Sequence, residues 1–219
     1  MQRYKIYRVS HLEIAPKELD FPLSLQTPYT DNGYYGSAAK IRNSSTAAIC
    51  DVLKHNRFNQ GLFLDIFPMD FCDPQTIATD TFEINVLNKK NGAYMRRGSC
   101  LLNERQKQDE ITYHTDNPLE VWNRIQEIAS NKKYHNSEFV CNTVYTGDSY
   151  TYRMHPISCY SEMIDHKFEG ITVKIPIGYD KILSIMYGNY MEFPPIEARG
   201  ARHSDIIFDP DKPYTEYLI

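Results

Sequence analysis

The sequence predicts an α/β protein of the α+β kind, in which a mixed sheet carries helices on its flanks. Three observations lead to this class. An apolar run from Gly61 to Pro68 is bounded by turn residues, which is typical of a strand buried on both faces. Asn117-Pro118, followed by apolar residues at three- to four-residue spacing, indicates a helix. Alternation of apolar and polar residues from Phe168 to Ile175 indicates a strand with one solvent-exposed face.

The composition is that of a globular protein. The chain has 219 residues and a mass of 25.6 kDa, enough for one domain with a sizeable core. Apolar residues make up 42 % and charged residues 24 %, which excludes a collagenous or wholly disordered chain. The net charge of −4 argues against a dedicated nucleic-acid-binding protein. No apolar run approaches about 18 residues and the first residues are polar, so neither a transmembrane helix nor a secretory signal is predicted.

The cysteine and tyrosine usage adds two expectations. The 5 cysteines are odd in number, widely spaced and without a CxxC pair, so neither a disulfide framework nor a structural zinc site is predicted. A reducing, cytoplasmic location is the expectation. The 17 tyrosines suit either a groove for a polar, ring-bearing ligand or ordinary packing and surface positions, and packing is the commoner case.

Further strands are predicted from short apolar segments. Residues 34–41 combine small and large side chains and predict a strand that ends near Arg42. Residues 46–53 fit either a short strand or a helical turn. Residues 138–145 predict another strand. The tail, residues 194–219, shows little periodicity.

Helix signals occur in the middle and near the end of the chain. Asp73-Pro74 resembles an N-cap followed by proline at the first helical position, and predicts a helix toward Arg97. The polar stretch 96–115 is predicted to be a loop. Residues 179–187 predict a short helix that Gly188 ends. The first twenty residues are interpreted as the tail of a helix running into a loop.

Asp65 is the first candidate for chemistry, because it lies between Leu64 and Ile66 inside the apolar run. A buried carboxylate is costly unless it is paired, hydrogen-bonded or bound to a cation. Such a side chain can hold Mg²⁺ near a transferred phosphate or deprotonate an attacking hydroxyl. Alternatively, Asp65 caps a neighbouring loop. Asp70 follows five residues later and is predicted to be a solvated turn residue or helix cap.

Lys40 and Arg42 are the candidate anion-binding residues. Because they are two residues apart, they share one face of a strand. Together they can hold a diphosphate or an anionic sugar, although a solvated strand face is the commoner role for such a pair. His203 stands between arginines near Gly200 and either contacts phosphate or is a surface histidine. No Walker A, Rossmann, HExxH or GxSxG motif occurs.

Several segments together resemble the LicD family of phosphotransferases, and the resemblance covers nearly the whole chain. The segments keep the family's order and spacing: Lys40-Ile41-Arg42-Asn43 with Thr46, the run Gly61 to Asp70, Phe168-Glu169-Gly170, Ile175-Pro176 with Tyr179-Asp180, Leu183, Tyr187-Gly188-Asn189-Tyr190-Met191 with Pro194-Pro195, His203, and Asp211-Lys212-Pro213-Tyr214 with Tyr217.

The resemblance implies a nucleotidyltransferase-like fold and a transfer reaction. Members of the family move a phospho-alcohol, usually phosphocholine from CDP-choline, to a sugar hydroxyl of a cell-surface polysaccharide such as lipopolysaccharide, teichoic acid or capsule. By this pattern Asp65 is the third metal-directed carboxylate and aligns or deprotonates the acceptor hydroxyl beside Mg²⁺. Lys40, Arg42 and His203 neutralise phosphate charge.

The sequence departs from the family's pattern at its N-terminal end. A Gly-Ser or Gly-Thr turn followed by an Asp-x-Asp pair is expected before Lys40, and no such unit is present there. One interpretation is a fragment of an active enzyme; the alternatives are a short, inactive homologue that works as a glycan-binding or partner subunit, and a relic without activity. Exposed apolar surface where the missing unit would pack is expected, and with it either a homodimer or poor solubility.

The predicted organisation is a single LicD-like domain over residues 1–219. Residues 1–72 form a partial catalytic sheet, residues 73–135 form a helical insertion, and residues 136–219 form the C-terminal strands, a short helix and the tail.

Overall fold

A computed structural model describes residues 22–130, 136–144, 154–199 and 206–219. Within them, helices and strands are mixed and all six strand pairs are antiparallel, so the α+β class is confirmed. The described strands form four small sheets, so the prediction of one mixed sheet is wrong for this part of the chain. The strands are β1 (Leu23–Gln26), β2 (Ala39–Asn43), β3 (Ala47–Cys50), β4 (Leu62–Ile66), β5 (Asp70–Cys72), β6 (Phe139–Cys141), β7 (Met154–Pro156), β8 (Met163–Phe168), β9 (Ile171–Pro176) and β10 (Ile206–Asp209). The helices are α1 (Ile77–Arg96), α2 (Glu104–Thr112), α3 (Pro118–Ala129) and α4 (Tyr179–Tyr187).

The sheet that carries the candidate residues has the order β1-β2-β4, with both pairs antiparallel. β2 is shorter than predicted, because the backbone before Ala39 is bound by a side chain: the buried Tyr34 hydroxyl donates to the Ala38 carbonyl at 2.6 Å. Gly61 leads into β4 at a point where any Cβ would collide with the Asn43 carbonyl oxygen. Only glycine fits this close approach.

The ambiguous segment 46–53 contains both predicted structures. Its first part is β3, and Asp51–Leu53 forms a 3₁₀ turn. β3 pairs antiparallel with β10, and Ile49 at its centre is fully buried. The tail therefore contains regular structure that its sequence did not indicate, because the partner strand lies more than 150 residues away and leaves no local pattern.

Three helices occupy residues 77–129. α3 starts as predicted, with the Asn117 side chain accepting from the Glu120 N–H at 3.3 Å and proline at the first helical position. The helix predicted at Asp73-Pro74 begins later, at Ile77, after a turn in which the Asp73 carbonyl accepts two backbone N–H groups. The prediction of a loop over 96–115 is wrong.

α2 lies inside that stretch and has no buried residue. Asn103 and Gln106 form a capping box, each side chain accepting from the other's backbone N–H at 2.9 Å. This helix lacks an apolar stripe, so the capping residues were the sequence signal from which it could have been predicted. The core between α1 and α3 contains Ile84, Ile125, Ile128, Ala129 and Val144.

The remaining strands form two small sheets. β5, β6 and β7 are antiparallel in that order. β6 is shorter than the strand predicted over 138–145, because the chain leaves the strand after Cys141 and turns at residues 143–144. β8 and β9 form a hairpin through Glu169 and Gly170, which have φ of 48° and 84°. β9 confirms the predicted strand, although Phe168 belongs to β8. α4 is confirmed, and Gly188 after it has φ of 67°.

The predicted helical tail at the N-terminus falls on residues outside the described ranges.

Candidate functional site

The candidate residues meet on one face of β2 and β4. The register places Lys40 opposite Asp65 and Arg42 opposite Phe63. The three charged side chains therefore lie close together beside the Phe63 ring. The Lys40 ammonium lies 3.7 Å from the centroid of that ring, and the Arg42 guanidinium carbon lies 4.5 Å from it. An aromatic face attracts both cations and holds them side by side.

The Lys40 ammonium and the Asp65 carboxylate form an ion pair. Their side chains keep 17 % and 31 % of their surface exposed. Burial lowers the pKa of Lys40, and the hydrogen bond and charge of Asp65 oppose that shift. The pair is thus reachable from solvent, and an anion or a hydroxyl could compete for either partner.

The environment of Asp65 differs from the predicted one. Its strand was expected to be buried on both faces, but Leu64 is 72 % exposed because β4 lies at the margin of its sheet. A carboxylate on a marginal strand with a lysine opposite carries no large desolvation cost. The idea that a cation-directed role forces Asp65 into the core is therefore wrong, although its proximity to Lys40 and Arg42 remains.

Arg42 is more deeply buried than its neighbour on the same strand, with 6 % of its surface exposed. Its Nε donates to the Gln26 side-chain oxygen at 2.8 Å and its Nη1 donates to the Gly61 carbonyl at 2.6 Å. Burial lowers the pKa of Arg42 to about 10, while Tyr34 and Asp31 act in the opposite direction. Arg42 therefore supplies a fixed positive charge beneath the site.

A polar network that the sequence did not single out holds Arg42 in place. Gln26 is fully buried, and its amide nitrogen donates to the Asp31 carboxylate at 2.6 Å and to the Asn59 carbonyl at 2.7 Å. The same Asp31 oxygen accepts the Asn59 N–H at 2.8 Å. Asp31 and Asn59 stand in segments that resemble solvated turns, so no local signal marks them.

Asp70 was predicted to be solvated and is 5 % exposed on β5 instead. The Thr143 hydroxyl donates to its carboxylate at 3.4 Å. β5 is covered because it pairs with β6, whose sequence lies some seventy residues further on. Asp70 belongs to a different sheet from Asp65 and lies opposite Cys141 in it.

A polar pair that the sequence reasoning also missed joins the buried His155 to the partly buried Tyr160. His155 is 4 % exposed, and its Nδ1 lies 2.8 Å from the Tyr160 hydroxyl. Burial lowers the pKa of His155 and raises the pKa of Tyr160 to about 12. The His155 Nε2 is buried and has no hydrogen-bond partner among the described residues.

The described residues do not by themselves fit a magnesium ion held by the protein. No group of three His, Cys, Asp or Glu side chains suited to a metal occurs among them. Asp65 already contacts a lysine, and Mg²⁺ prefers several oxygen ligands. His203, the remaining candidate, lies outside the described ranges.

Comparison with known proteins identified no relative of this chain. No family model, curated protein or solved structure matches the chain. The α+β class is therefore the level at which the fold is defined, and the LicD resemblance depends on the sequence motifs. None of the helices in the described ranges has both the length and the apolar character needed to cross a bilayer.

Proposed function

We propose that this chain is a LicD-type phosphotransferase that moves a phospho-alcohol, in the first instance phosphocholine from CDP-choline, to a sugar hydroxyl of a cell-surface polysaccharide. The single observation that carries the proposal is the cluster of Lys40, Arg42 and Asp65 on one face of β2 and β4. All three residues stand in segments that resemble the family, Lys40 and Arg42 in the first and Asp65 in the run Gly61 to Asp70. A nucleotidyltransferase-like arrangement of the sheet and a cytoplasmic location belong to the same proposal.

The reaction assigns each residue a role. The acceptor oxygen attacks the phosphorus of the phospho-alcohol, the bond between that phosphorus and the oxygen of CMP breaks, and CMP leaves with the bonding electrons. Lys40 contacts the donor phosphates as a point charge. When it does so, it releases the Asp65 carboxylate, which takes the proton of the acceptor hydroxyl.

Arg42 and His203 have supporting roles in the proposal. Arg42 is held by Gln26 and Gly61, so it stabilises the diphosphate through its fixed charge. His203 would contact phosphate. Magnesium would accompany the donor diphosphate, and neither the role of Lys40 nor that of Asp65 depends on it.

The test is CMP release from CDP-choline in the presence of magnesium and a panel of surface glycans. Asp65→Asn should lower the rate about 100-fold or more, because general-base catalysis contributes at least that much. Asp51→Asn is the matched control, since Asp51 also pairs with a lysine, Lys54 at 2.6 Å, but lies away from the cluster. An active chain that keeps its full rate with Asp65→Asn contradicts the assigned base.

A second candidate function is a catalytically inactive homologue that binds glycans or a partner subunit. The observation that favours it is the ion pair itself, because Lys40 neutralises the one carboxylate of the cluster. Calorimetry with surface glycans in the absence of metal distinguishes the two. Binding heat without CMP release supports this candidate, and the absence of heat across the panel excludes glycan binding.

A further inference from the structure

Two Asn-Gly pairs occur in the sequence, and the structure places them in opposite environments. Asn32-Gly33 lies in the turn between β1 and β2, and the Asn32 side chain is exposed. Asn91-Gly92 lies inside α1, and Asn91 is 1 % exposed. Asparagine is one of the chemically labile residue types. It is especially labile before glycine, because glycine has no Cβ that would hinder attack by its own backbone nitrogen.

The peptide nitrogen of Gly33 is not engaged by the fold. The Gly33 N–H donates to no acceptor in the described part of the chain, and the Asn32 amide forms no hydrogen bond there either. The flanking residues are held, since the Asp31 N–H donates to the Thr27 carbonyl at 3.0 Å and the Tyr34 N–H donates to the Asp31 carbonyl at 3.2 Å. The turn therefore presents an exposed amide beside an unbonded peptide nitrogen.

The second pair has neither property. A backbone N–H inside an α-helix donates to the carbonyl four residues earlier, so the Gly92 nitrogen is engaged by α1. The Asn91 amide is buried. Reaction at Asn91 therefore requires that α1 first opens, and the same dipeptide provides a comparison within one chain.

We infer that Asn32 is a site of spontaneous modification, at which the asparagine is converted through a cyclic imide to a mixture of aspartate and isoaspartate. The Gly33 nitrogen loses its proton and forms a bond to the side-chain carbonyl carbon of Asn32. The bond from that carbon to the side-chain nitrogen breaks, and ammonia leaves. Water then opens the ring at either carbonyl: cleavage of the new bond gives aspartate, and cleavage of the original peptide bond gives isoaspartate.

The modified position lies next to the polar network beneath the candidate site. Asp31 directly precedes Asn32, and its carboxylate accepts from the Gln26 amide at 2.6 Å and from the Asn59 N–H at 2.8 Å. Gln26 in turn accepts from the Arg42 Nε at 2.8 Å. Isoaspartate adds one carbon to the main chain immediately after Asp31, together with a negative charge. The modification should therefore weaken this network, whether or not the chain transfers a phospho-alcohol.

The experiment is an ageing time course of the full chain in mildly alkaline buffer at physiological temperature. Peptide mapping by mass spectrometry measures deamidation at each asparagine, and isoaspartyl methyltransferase with labelled S-adenosylmethionine measures isoaspartate. Asn32 should deamidate at least about tenfold faster than Asn91, because an exposed turn reacts without the opening that a core helix requires. Asn32→Gln is the matched control, since it keeps an amide but needs a larger ring, and it should remove most of the isoaspartate.

Ageing in concentrated urea tests whether the fold causes the difference. In the unfolded chain Asn32 and Asn91 should deamidate at similar rates. Equal rates in the folded chain, an isoaspartate signal that Asn32→Gln does not reduce, or a difference that persists in urea would each overturn the inference.

The effect on the network is measured on the same samples. The aged wild-type chain should unfold at a lower urea concentration than the fresh chain, and aged Asn32→Gln should retain its midpoint. A fully modified chain with an unchanged midpoint would overturn the link between this site and the Arg42 network.

Discussion

Two regions of the molecule distribute polarity in opposite ways. The N-terminal sheet region, residues 22–66, buries polar side chains such as Gln26 and Arg42 together with Ile49. The C-terminal hairpin–helix segment, residues 163–199, contains no buried residue, yet it exposes large apolar side chains such as Phe193 at 86 %.

The difference shows that residue type alone does not decide which side chains of this chain are buried, since long-range contacts bury Arg42 and leave Phe193 exposed. Arg42 can be buried because Gln26 and Gly61 satisfy its hydrogen-bond donors from elsewhere in the sequence. The hairpin of β8 and β9 and the helix α4 form from local signals, and no residue of the segment is buried in the structure. A large exposed apolar surface of this kind is typical of an interaction site.

The largest expected effect comes from breaking the buried network. Arg42→Ala should lower the free energy of unfolding by about 3–5 kcal/mol, since it leaves the Gln26 oxygen and the Gly61 carbonyl buried without a donor. Urea unfolding followed by circular dichroism measures this. Arg124→Ala is the control, because Arg124 forms only exposed ion pairs with Glu83 and Glu127. Equal losses for the two variants would show that the buried network of Arg42 contributes no more stability than an exposed ion pair.

The second-largest change in the free energy of unfolding is expected when one isoleucine in each region is shortened to alanine. Ile49→Ala should cost about 2–4 kcal/mol, because Ile49 is fully buried and its removal leaves a cavity. Ile196→Ala should change the free energy of unfolding by less than about 0.5 kcal/mol, since Ile196 is 79 % exposed. The same urea titrations measure both, and a costly Ile196→Ala would show that its segment is covered in solution.

Acidification should give a smaller, reversible effect through a buried histidine. Burial lowers the pKa of His155 from its ordinary value of 6.5, so the unfolded chain takes up a proton before the folded chain does. The stability that neutral His155 contributes is therefore fully present above pH 6.5 and is lost as the pH falls toward the folded-state pKa.

Unfolding titrations at a series of pH values measure this slope. His155→Gln should reduce the slope below pH 6.5, and the control His166→Gln should preserve it, because His166 is an exposed residue on β8. A slope unchanged by His155→Gln would assign the acid sensitivity to another group.

The smallest change in the free energy of unfolding is expected when an exposed aromatic ring of the C-terminal hairpin–helix segment is removed. Phe193→Ser should change the free energy of unfolding by no more than about 0.5 kcal/mol. Phe58→Ser, at a side chain that is 2 % exposed, provides the contrasting loss. Thermal unfolding of the pair measures the difference, and similar melting curves would remove the distinction between the two regions.

The parts of the fold that could be predicted carry their signal within a few residues. Asn117-Pro118 starts α3, and Gly188 ends α4, because caps act on the adjacent turn. β10 could not be predicted, since it depends on a distant strand. The late start of α1 was missed because Asp73-Pro74 forms a turn, in which the Asp73 side chain accepts the Gln75 N–H at 2.8 Å, and the same residue types also begin helices.

The sequence predicted which residues form the candidate site, but it did not predict how exposed they are. The two-residue spacing of Lys40 and Arg42 was sufficient to place both on one face of β2. The exposure of Leu64 and Asp65 was not predictable, because an apolar run has the same sequence at the centre and at the margin of a sheet.

By itself, the sequence determined the α+β class, the two helices with clear end signals and the shared face of two cations. Only the tertiary structure decided that Asp65 pairs with Lys40, 25 residues away, and that Gln26 contacts the Asn59 backbone, 33 residues away. The physical reason is that caps and periodicity are properties of adjacent residues. Burial and charge compensation are properties of residues that folding brings together.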